Sequence, residues 1–306
     1  MGKVLEELSA AVRSALETVG PSVVGVGAGG SGAVVGDGVV VTNAHNLRGE
    51  ETVVTFADGR RVPGRATGVD IDGDLAVLAV DTAGAGPLEW SSRPVGMGDA
   101  VLGFANPGGR GLRASVGFVS AVDVGFRGPG GRKVGGALEH TAPLARGSSG
   151  GPLVDSAGKF VGIDTHRVGD GFYLAMPANE ELKRRVDALG RGEEPRRPRL
   201  GIAVAPSPVA RRLRRSVGLP DRDGILVRAV EEGGPAATSG IRQGDLVVAV
   251  AGTPVASVDE LAGALEGAGP AAAVELAVVR GADELTVSVR LSSPDVSPAD
   301  DTPSAG

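Results

Sequence analysis

Residues 33–45 read AVVGDGVVVTNAH, and this stretch decides the fold class. Two valine runs flank a Gly-Asp-Gly turn, which is the pattern of a β-hairpin rather than of a helix. The residues just before it, GAGGSG at 27–32, fit the glycine pattern of a dinucleotide-binding loop. That loop requires a helix to begin at its end, whereas here a hairpin follows. We therefore reject a nucleotide site.

The hairpin pattern continues outward along most of the first 190 residues. Short valine-rich runs recur between turn signals such as ADG and NPGG, among them SVVGV, TVVTF, LAVLAV, AVLGF and SVGFVSAV. This pattern is typical of an antiparallel β-barrel or sandwich. Apolar residues take helical spacing over residues 3–19 and again in EELKRRVDALG near residue 190. The sequence therefore predicts a mainly β unit with a helix at each end.

Composition restricts the chemistry and the partners. Hydrophobic residues make up 42% of the chain but aromatic residues only 3%, so the core must consist mainly of Val, Leu, Ala and Ile. The net charge of −6 gives no reason to expect nucleic acid as a partner. The absence of cysteine excludes disulfides, thiolate nucleophiles and cysteine-ligated zinc. No segment resembles a signal peptide or a membrane span, and we predict a cytoplasmic protein.

Changes in composition divide the chain into five segments. An N-terminal helix (1–20) precedes a β-rich unit (21–190), and the charged, proline-bearing stretch 191–199 reads as a linker. A compact second unit of strands and short helices spans 200–291. The tail 292–306 is rich in Pro, Ser and Asp, which predicts disorder.

Three residues of the β-rich unit carry possible chemistry. His45 ends a strand-like run, Asp74 opens the strand DLAVLAV, and Ser149 lies in GSSGGPL at 147–153. Each alone has an ordinary explanation as a loop histidine, a turn acid or a glycine-rich turn. Together they occur in the order His, Asp, Ser on an all-β pattern, which is the order of the chymotrypsin-type triad. The N–H groups of Gly147 and Ser149 would be the natural pair to bind an oxyanion.

The stretch GSSGG also fits the nucleophile elbow of α/β-hydrolases. That fold alternates strands with helices and places its histidine after the serine. Only His166 follows Ser149, after two strands' length, in a chain rich in strands. The esterase interpretation is therefore poor.

Several motifs in register resemble the HtrA (Deg) family of serine proteases. They are TNAH, DLAVL and GSSGGPL, followed by GKFVGI and GFYLAMP. The second unit resembles a PDZ domain in RLGIAV, in GILVRAVEEGGPAATSGIRQGDLVVAVAGTPV and in SVDELAGAL. The resemblance implies a two-barrel chymotrypsin-like protease domain followed by an α+β PDZ domain. It also implies cleavage of unfolded or misfolded proteins without a metal or cofactor, and assembly as a homotrimer.

The resemblance assigns roles to individual residues. His45 aligns with the general base, Asp74 with the acid that orients it, and Ser149 with the nucleophile. Gly147 and Ser149 would supply the oxyanion-hole donors. In the PDZ domain, the positions that hold the C-terminal carboxylate of a peptide are Leu200, Gly201, Ile202 and Ala203.

The chain departs from the family pattern close to the nucleophile. Where the family usually reads TDAAINPGN, residues 140–148 read HTAPLARGS, and Asn46 stands where Val often follows the histidine. The altered segment 140–148 motivates an alternative, a catalytically silent protease fold that acts as a PDZ adaptor or chaperone. Trypsin-like enzymes that cleave after Lys or Arg have an acid six residues before the nucleophile, where this chain has Pro143. We therefore expect cleavage after small or medium apolar residues.

Overall fold

The computed structural model describes residues 2–128, 133–193, 199–268 and 273–291. The chain divides into two compact units, residues 1–195 and residues 196–306. The predicted tail 292–306 and part of the predicted linker, 194–198, lie outside the described residues.

The first unit begins with a helix and a six-stranded closed barrel. Helix α1 (Gly2–Val19) ends in a 3-10 turn at Gly20–Ser22, where Pro21 cannot continue the α-helical bonding. Six antiparallel strands of the described chain close the first barrel in the order β1-β2-β3-β6-β5-β4. The strands are β1 (Val23–Val26), β2 (Gly30–Gly36), β3 (Val39–Thr42), β4 (Glu51–Thr55), β5 (Arg61–Asp70) and β6 (Leu75–Val80).

A second closed barrel follows in the same unit. Its six antiparallel strands, again counted within the described residues, run in the order β10-β11-β12-β9-β8-β7. They are β7 (Ala100–Ala105), β8 (Arg113–Arg127), β9 (Lys133–His140), β10 (Pro152–Asp155), β11 (Phe160–Val168) and β12 (Phe172–Pro177). The prediction of a mainly β fold with two barrels is confirmed.

Mainly aliphatic side chains fill the first barrel, as the composition requires. Val24, Val34, Val40 and Leu78 are fully buried inside the first barrel. Burial of one such side chain stabilises the fold by about 1.5–3 kcal/mol, and β-branched residues suit the pleated surface.

Helix α2 (Glu180–Gly190) returns from the second barrel to the first. Asn179 caps it by accepting a hydrogen bond from the N–H of Leu182 at 2.9 Å. The helix packs on β5 and β6, and Arg185 pairs with the buried Asp70 at 3.0 Å. Gly68 permits this close packing, because a Cβ there would lie 2.6 Å from the carbonyl oxygen of Leu189.

The second unit is an antiparallel sheet with helices at its connections. The sheet order is β13-β14-β15-β17-β18, and β16 pairs with β15. Its elements are β13 (Ile202–Ala205), α3 (Ser207–Ser216), β14 (Ile225–Val230), α4 (Pro235–Thr238), β15 (Leu246–Val250), β16 (Thr253–Pro254), α5 (Val258–Ala268), β17 (Ala273–Arg280) and β18 (Asp283–Arg290). Apolar side chains including Ile225, Leu246 and Leu276 are fully buried in it. The unit is α+β, as predicted.

Candidate active site

Strand pairing in the first barrel brings His45 and Asp74 together. His45 lies in the 3-10 turn Ala44–Asn46 directly after β3, and Asp74 lies directly before β6. The two strands are antiparallel neighbours, with Thr42 opposite Ala76, so the end of one meets the beginning of the other. His45 Nδ1 lies 2.9 Å from both carboxylate oxygens of Asp74. A neutral imidazole that donates from Nδ1 leaves Nε2 as an acceptor, which is the form a general base needs.

The Asp74 carboxylate is fully buried but well supplied with donors. Besides the imidazole, it accepts from the His45 N–H at 3.2 Å and from the Thr165 hydroxyl at 2.9 Å. Its backbone φ is 51°, a left-handed conformation that Asp tolerates better than most residues. Asn43 steadies this turn by donating to the Asp74 carbonyl at 2.9 Å. A buried carboxylate with several donors is held in one orientation.

Ser149 lies at the tip of the glycine-rich turn before β10. Its hydroxyl donates to the Thr165 carbonyl at 2.9 Å, and within the described residues no hydrogen bond links it to His45. Thr165 on β11 thus contacts the carboxylate through its side chain and the serine through its backbone. Since a hydroxyl carries one hydrogen, Ser149 must release the Thr165 carbonyl before it can donate to an imidazole. Catalytic hydrogen bonds often form only when substrate is bound.

The turn around Ser149 requires its glycines. Gly147 and Gly150 have φ values of 87° and 89°. A Cβ on Gly147 would lie 2.0 Å from the Gly29 carbonyl oxygen, and one on Gly150 would lie 2.2 Å from that of Ser31. The N–H groups of Gly147 and Ser149 donate to no group in the part of the chain that the structure describes. Two unengaged donors in one turn can bind a negatively charged oxygen.

Three residues near this turn escaped prediction as site residues. Thr165 is the link described above, and Asn46 donates from Nδ2 to the Ser149 carbonyl at 2.8 Å. The ring of His166 stacks on that of His45 with a centroid distance of 5.7 Å, and its Nε2 lies 3.6 Å from Asp74 Oδ2. Burial lowers the pKa of His166, against the opposing effect of the Asp74 charge. The pairing of β11 with β12 is irregular between Asp164 and Arg167, and both Thr165 and His166 reach the same Asp74 oxygen.

Pro143 lies in the wall of a cavity of about 340 Å³, which Gly103, Leu144 and Ser148 also line. Arg113 contributes to the lining, and no acidic side chain of the described residues does so.

The four predicted peptide-binding residues of the second unit lie at the start of an edge strand. Leu200 is buried, Gly201 has a φ of 70°, and Ile202 and Ala203 begin β13. Strand β13 ends the sheet order and pairs with β14, so its other side has no strand partner among the described residues. An open strand edge is the feature to which an extended peptide can add.

Known proteins resemble the chain in both of its units. Residues 30–163 match the trypsin-like peptidase domain family, and residues 198–291 match the PDZ domain family. The putative serine protease HhoA of Synechocystis sp. is 32% identical over 284 residues, covering 85% of this chain and 70% of HhoA. A probable periplasmic serine endoprotease, DegP-like, of Brucella suis is 31% identical, covering 85% of this chain and 52% of that protein. The chain therefore spans about half the length of the DegP-like relative.

Solved structures agree with this fold. The HtrA-type protease AlgW with a decapeptide superposes with a TM-score of 0.73 at 22% identity, covering 93% of this chain and 99% of that one. The serine endoprotease from Yersinia pestis superposes with a TM-score of 0.70 at 26% identity, covering 93% and 98%. No helix in the described part of the chain is long and apolar enough to cross a membrane.

Proposed function

The chain belongs to the HtrA family of serine proteases, and we propose that it is an endopeptidase that uses Ser149 as its nucleophile. One observation carries this proposal: His45 is bonded to the buried carboxylate of Asp74, and Thr165 joins that carboxylate to Ser149. The relatives at 30% identity or more are named as serine proteases, which does not favour the catalytically silent alternative.

In the proposed reaction, Ser149 attacks the carbonyl carbon of the scissile peptide bond. His45 takes the hydroxyl proton on Nε2 and returns it to the leaving amine, while Asp74 holds the tautomer and stabilises the charged imidazolium. The N–H groups of Gly147 and Ser149 bind the tetrahedral oxygen. Water then attacks the acyl-enzyme with His45 again as the base, and releases the second product.

Digestion of unfolded casein tests the activity. We expect wild type to cleave casein and to be labelled by a fluorophosphonate probe, while Ser149→Ala does neither. Equal behaviour of the two proteins would rule out the serine protease and leave the PDZ adaptor.

Pro143 supports a preference for small or medium apolar residues before the cleaved bond. It offers no negative charge to a Lys or Arg side chain of the substrate. Matched fluorogenic peptides ending in Val and in Arg test this preference. Faster cleavage after Arg would contradict it.

The open edge of β13 supports binding of peptide C-termini at Leu200, Gly201, Ile202 and Ala203. Main-chain hydrogen bonds to the added strand would supply most of the affinity. We propose that such binding recruits unfolded substrates or activates cleavage. If peptides bind but leave the rate of casein cleavage unchanged, the activation proposal fails.

The assembly and the cellular location remain predictions. The resemblance to the family suggests a homotrimer, which sedimentation of the purified chain tests directly. A cytoplasmic location is our prediction, whereas the Brucella relative is described as periplasmic. Cell fractionation distinguishes the two locations.

A further inference from the structure

Asn46, the residue after His45, reaches across from the first barrel to the nucleophile's own backbone. Its Nδ2 donates to the Ser149 carbonyl at 2.8 Å and to Thr42 Oγ1 at 2.9 Å, with a longer contact of 3.5 Å to the Ser31 carbonyl. The Ser31 N–H donates to the same Ser149 carbonyl at 3.0 Å. Two donors from the first barrel therefore fix one carbonyl in the turn that carries the nucleophile.

The chemistry of its neighbours determines which way the Asn46 amide points. The carbonyls of Ser149 and Ser31 can only accept hydrogen bonds. Thr42 gives its hydroxyl hydrogen to the Ser31 carbonyl at 2.6 Å, so it too acts as an acceptor toward Asn46. An NH₂ group satisfies these neighbours, whereas an oxygen in its place would face acceptors alone. Neither aspartate nor an aliphatic residue can replace this donor.

Two glycines make room for the amide. A Cβ on Gly30 would lie 2.4 Å from Asn46 Cγ, and a Cβ on Gly150 would lie 3.0 Å from Asn46 Nδ2. The side chain thus fills a slot that exists only because both positions lack a Cβ. Asn46 is therefore closely packed in one place between β2 and the turn at Ser149.

We infer that Asn46 is a positioning residue, which holds the Ser149 backbone so that its N–H and its hydroxyl point at the reacting carbonyl. The inference rests on the proposed protease function. The structure places one departure from the family pattern, Asn46, against Ser149, the residue that directly follows the other departure, the segment 140–148. Ser31 completes the support by donating from its hydroxyl to the Gly147 carbonyl at 2.7 Å. The two residues predicted as oxyanion donors, Gly147 and Ser149, thus each have a carbonyl held by the first barrel.

Asn46→Ala and the isosteric Asn46→Asp test this role by steady-state kinetics on a fluorogenic peptide. Removal of one direct oxyanion donor costs about 10²–10³ in kcat. Asn46 would act through the Ser149 backbone and not on the substrate itself. We therefore expect a smaller fall in kcat for Asn46→Ala, about 10- to 100-fold, with KM changed less than about twofold. Asn46→Asp should lose more than Asn46→Ala. Affinity for a peptide boronic acid, which mimics the tetrahedral intermediate, should fall with kcat, while affinity for a product peptide should not.

Asn179→Ala is the matched control, since it removes another asparagine–backbone hydrogen bond, at the cap of α2. It should lower the Tm and leave kcat and boronic acid affinity unchanged. Wild-type kcat and boronic acid affinity in Asn46→Ala would overturn the inference. A fall in kcat of equal size in Asn179→Ala would overturn the inference as well, because the loss of activity would then reflect lower stability in general.

Gly30→Ala provides a second route, because it leaves the Asn46 side chain itself intact. Its added methyl should displace the intact amide and lower kcat, whereas Gly30→Ala/Asn46→Ala should be no slower than Asn46→Ala alone. An additive loss in the double variant would overturn the inference.

Fluorophosphonate labelling separates the proposed protease function from the proposed role of Asn46. Wild type that labels no faster than Ser149→Ala overturns the protease function, whereas Ser149-dependent labelling that is equally fast in Asn46→Ala overturns only the role of Asn46.

Discussion

Two His–Asp pairs of the first unit lie at nearly equal distances but in different surroundings. His45 lies 2.9 Å from Asp74, and His140 lies 3.0 Å from Asp164. Both carboxylates are fully buried, but a third of the His45 side chain is exposed, whereas His140 is fully buried. Only the first imidazole can therefore exchange a proton with a substrate.

The two carboxylates also differ in their hydrogen bonds. Asp74 accepts from His45 and from Thr165. Neither oxygen of Asp164 has a well-directed partner among the described residues, and burial raises its pKa, opposed by His140. The Asp164 backbone instead bonds to Gly150 and Gly151 in the turn that carries Ser149. The comparison teaches that one pair of residue types gives a partly exposed imidazole at the barrel surface and a fully buried contact inside the barrel.

The largest difference between the pairs should appear on changing each Asp to Asn. Asp74→Asn should lower kcat by about 10⁴, because an amide no longer holds the required tautomer of His45. Asp164→Asn should leave kcat per folded molecule within about tenfold, since no reacting group contacts it. Initial rates, normalised to the folded fraction, measure both. Equal losses would abolish the distinction.

Stability should show the opposite order. His140→Leu should lower the free energy of unfolding by about 3–5 kcal/mol, because it leaves the Asp164 carboxylate buried and unpaired. His45→Ala should lower the free energy of unfolding less, because the Thr165 hydroxyl still donates to Asp74 and solvent can reach the carboxylate through the space left by the imidazole. Urea unfolding followed by Trp90 fluorescence reports on this unit, because the single tryptophan packs against Phe160 at 5.0 Å. A larger loss in His45→Ala would contradict the comparison.

Removing both polar side chains inside the barrel should repair most of that loss. Buried ion pairs replaced by apolar residues of similar volume are often neutral or stabilised. We expect the free energy of unfolding of His140→Leu/Asp164→Val to lie within about 1–2 kcal/mol of the wild-type value. It should also be higher than that of His140→Leu. The same urea measurement completes the cycle. Additive losses would mean that the pair carries no shared electrostatic cost.

How much of the fold and of the site could be predicted from the sequence depends on how far apart along the chain the contacting residues lie. The valine runs and glycine turns specify hairpins locally, and the order His45, Asp74, Ser149 indicated the chemistry. The TNAH motif and the residue order singled out His45, but nothing in the sequence indicated that His140 would lie against the buried Asp164. The contact from Asn46 to Ser149 spans 103 positions in the chain, and only barrel packing creates it.

The smallest expected effect is on the pH dependence of stability and concerns His166, whose side chain is 32% exposed. Burial lowers its pKa, the charge of Asp74 opposes this effect, and the neighbouring His45 adds to it. The unfolded state therefore binds the proton more readily, so stability is full above the unfolded value of about 6.5 and falls as the pH drops toward the folded pKa. His166→Phe should unfold with a flatter dependence between pH 7.5 and 5. Parallel curves would contradict this.

The sequence by itself determined the strands, the turns and the residue types available for catalysis. Those properties depend on local periodicity and on positions such as Gly147 and Gly150, where only glycine fits the backbone. The tertiary structure alone decided that His140 meets Asp164, that the His45 imidazole stays partly exposed, and that the Asn46 amide contacts the Ser149 carbonyl. The physical reason is that exposure and hydrogen-bond partners arise when strands distant in the chain close into barrels and pack together.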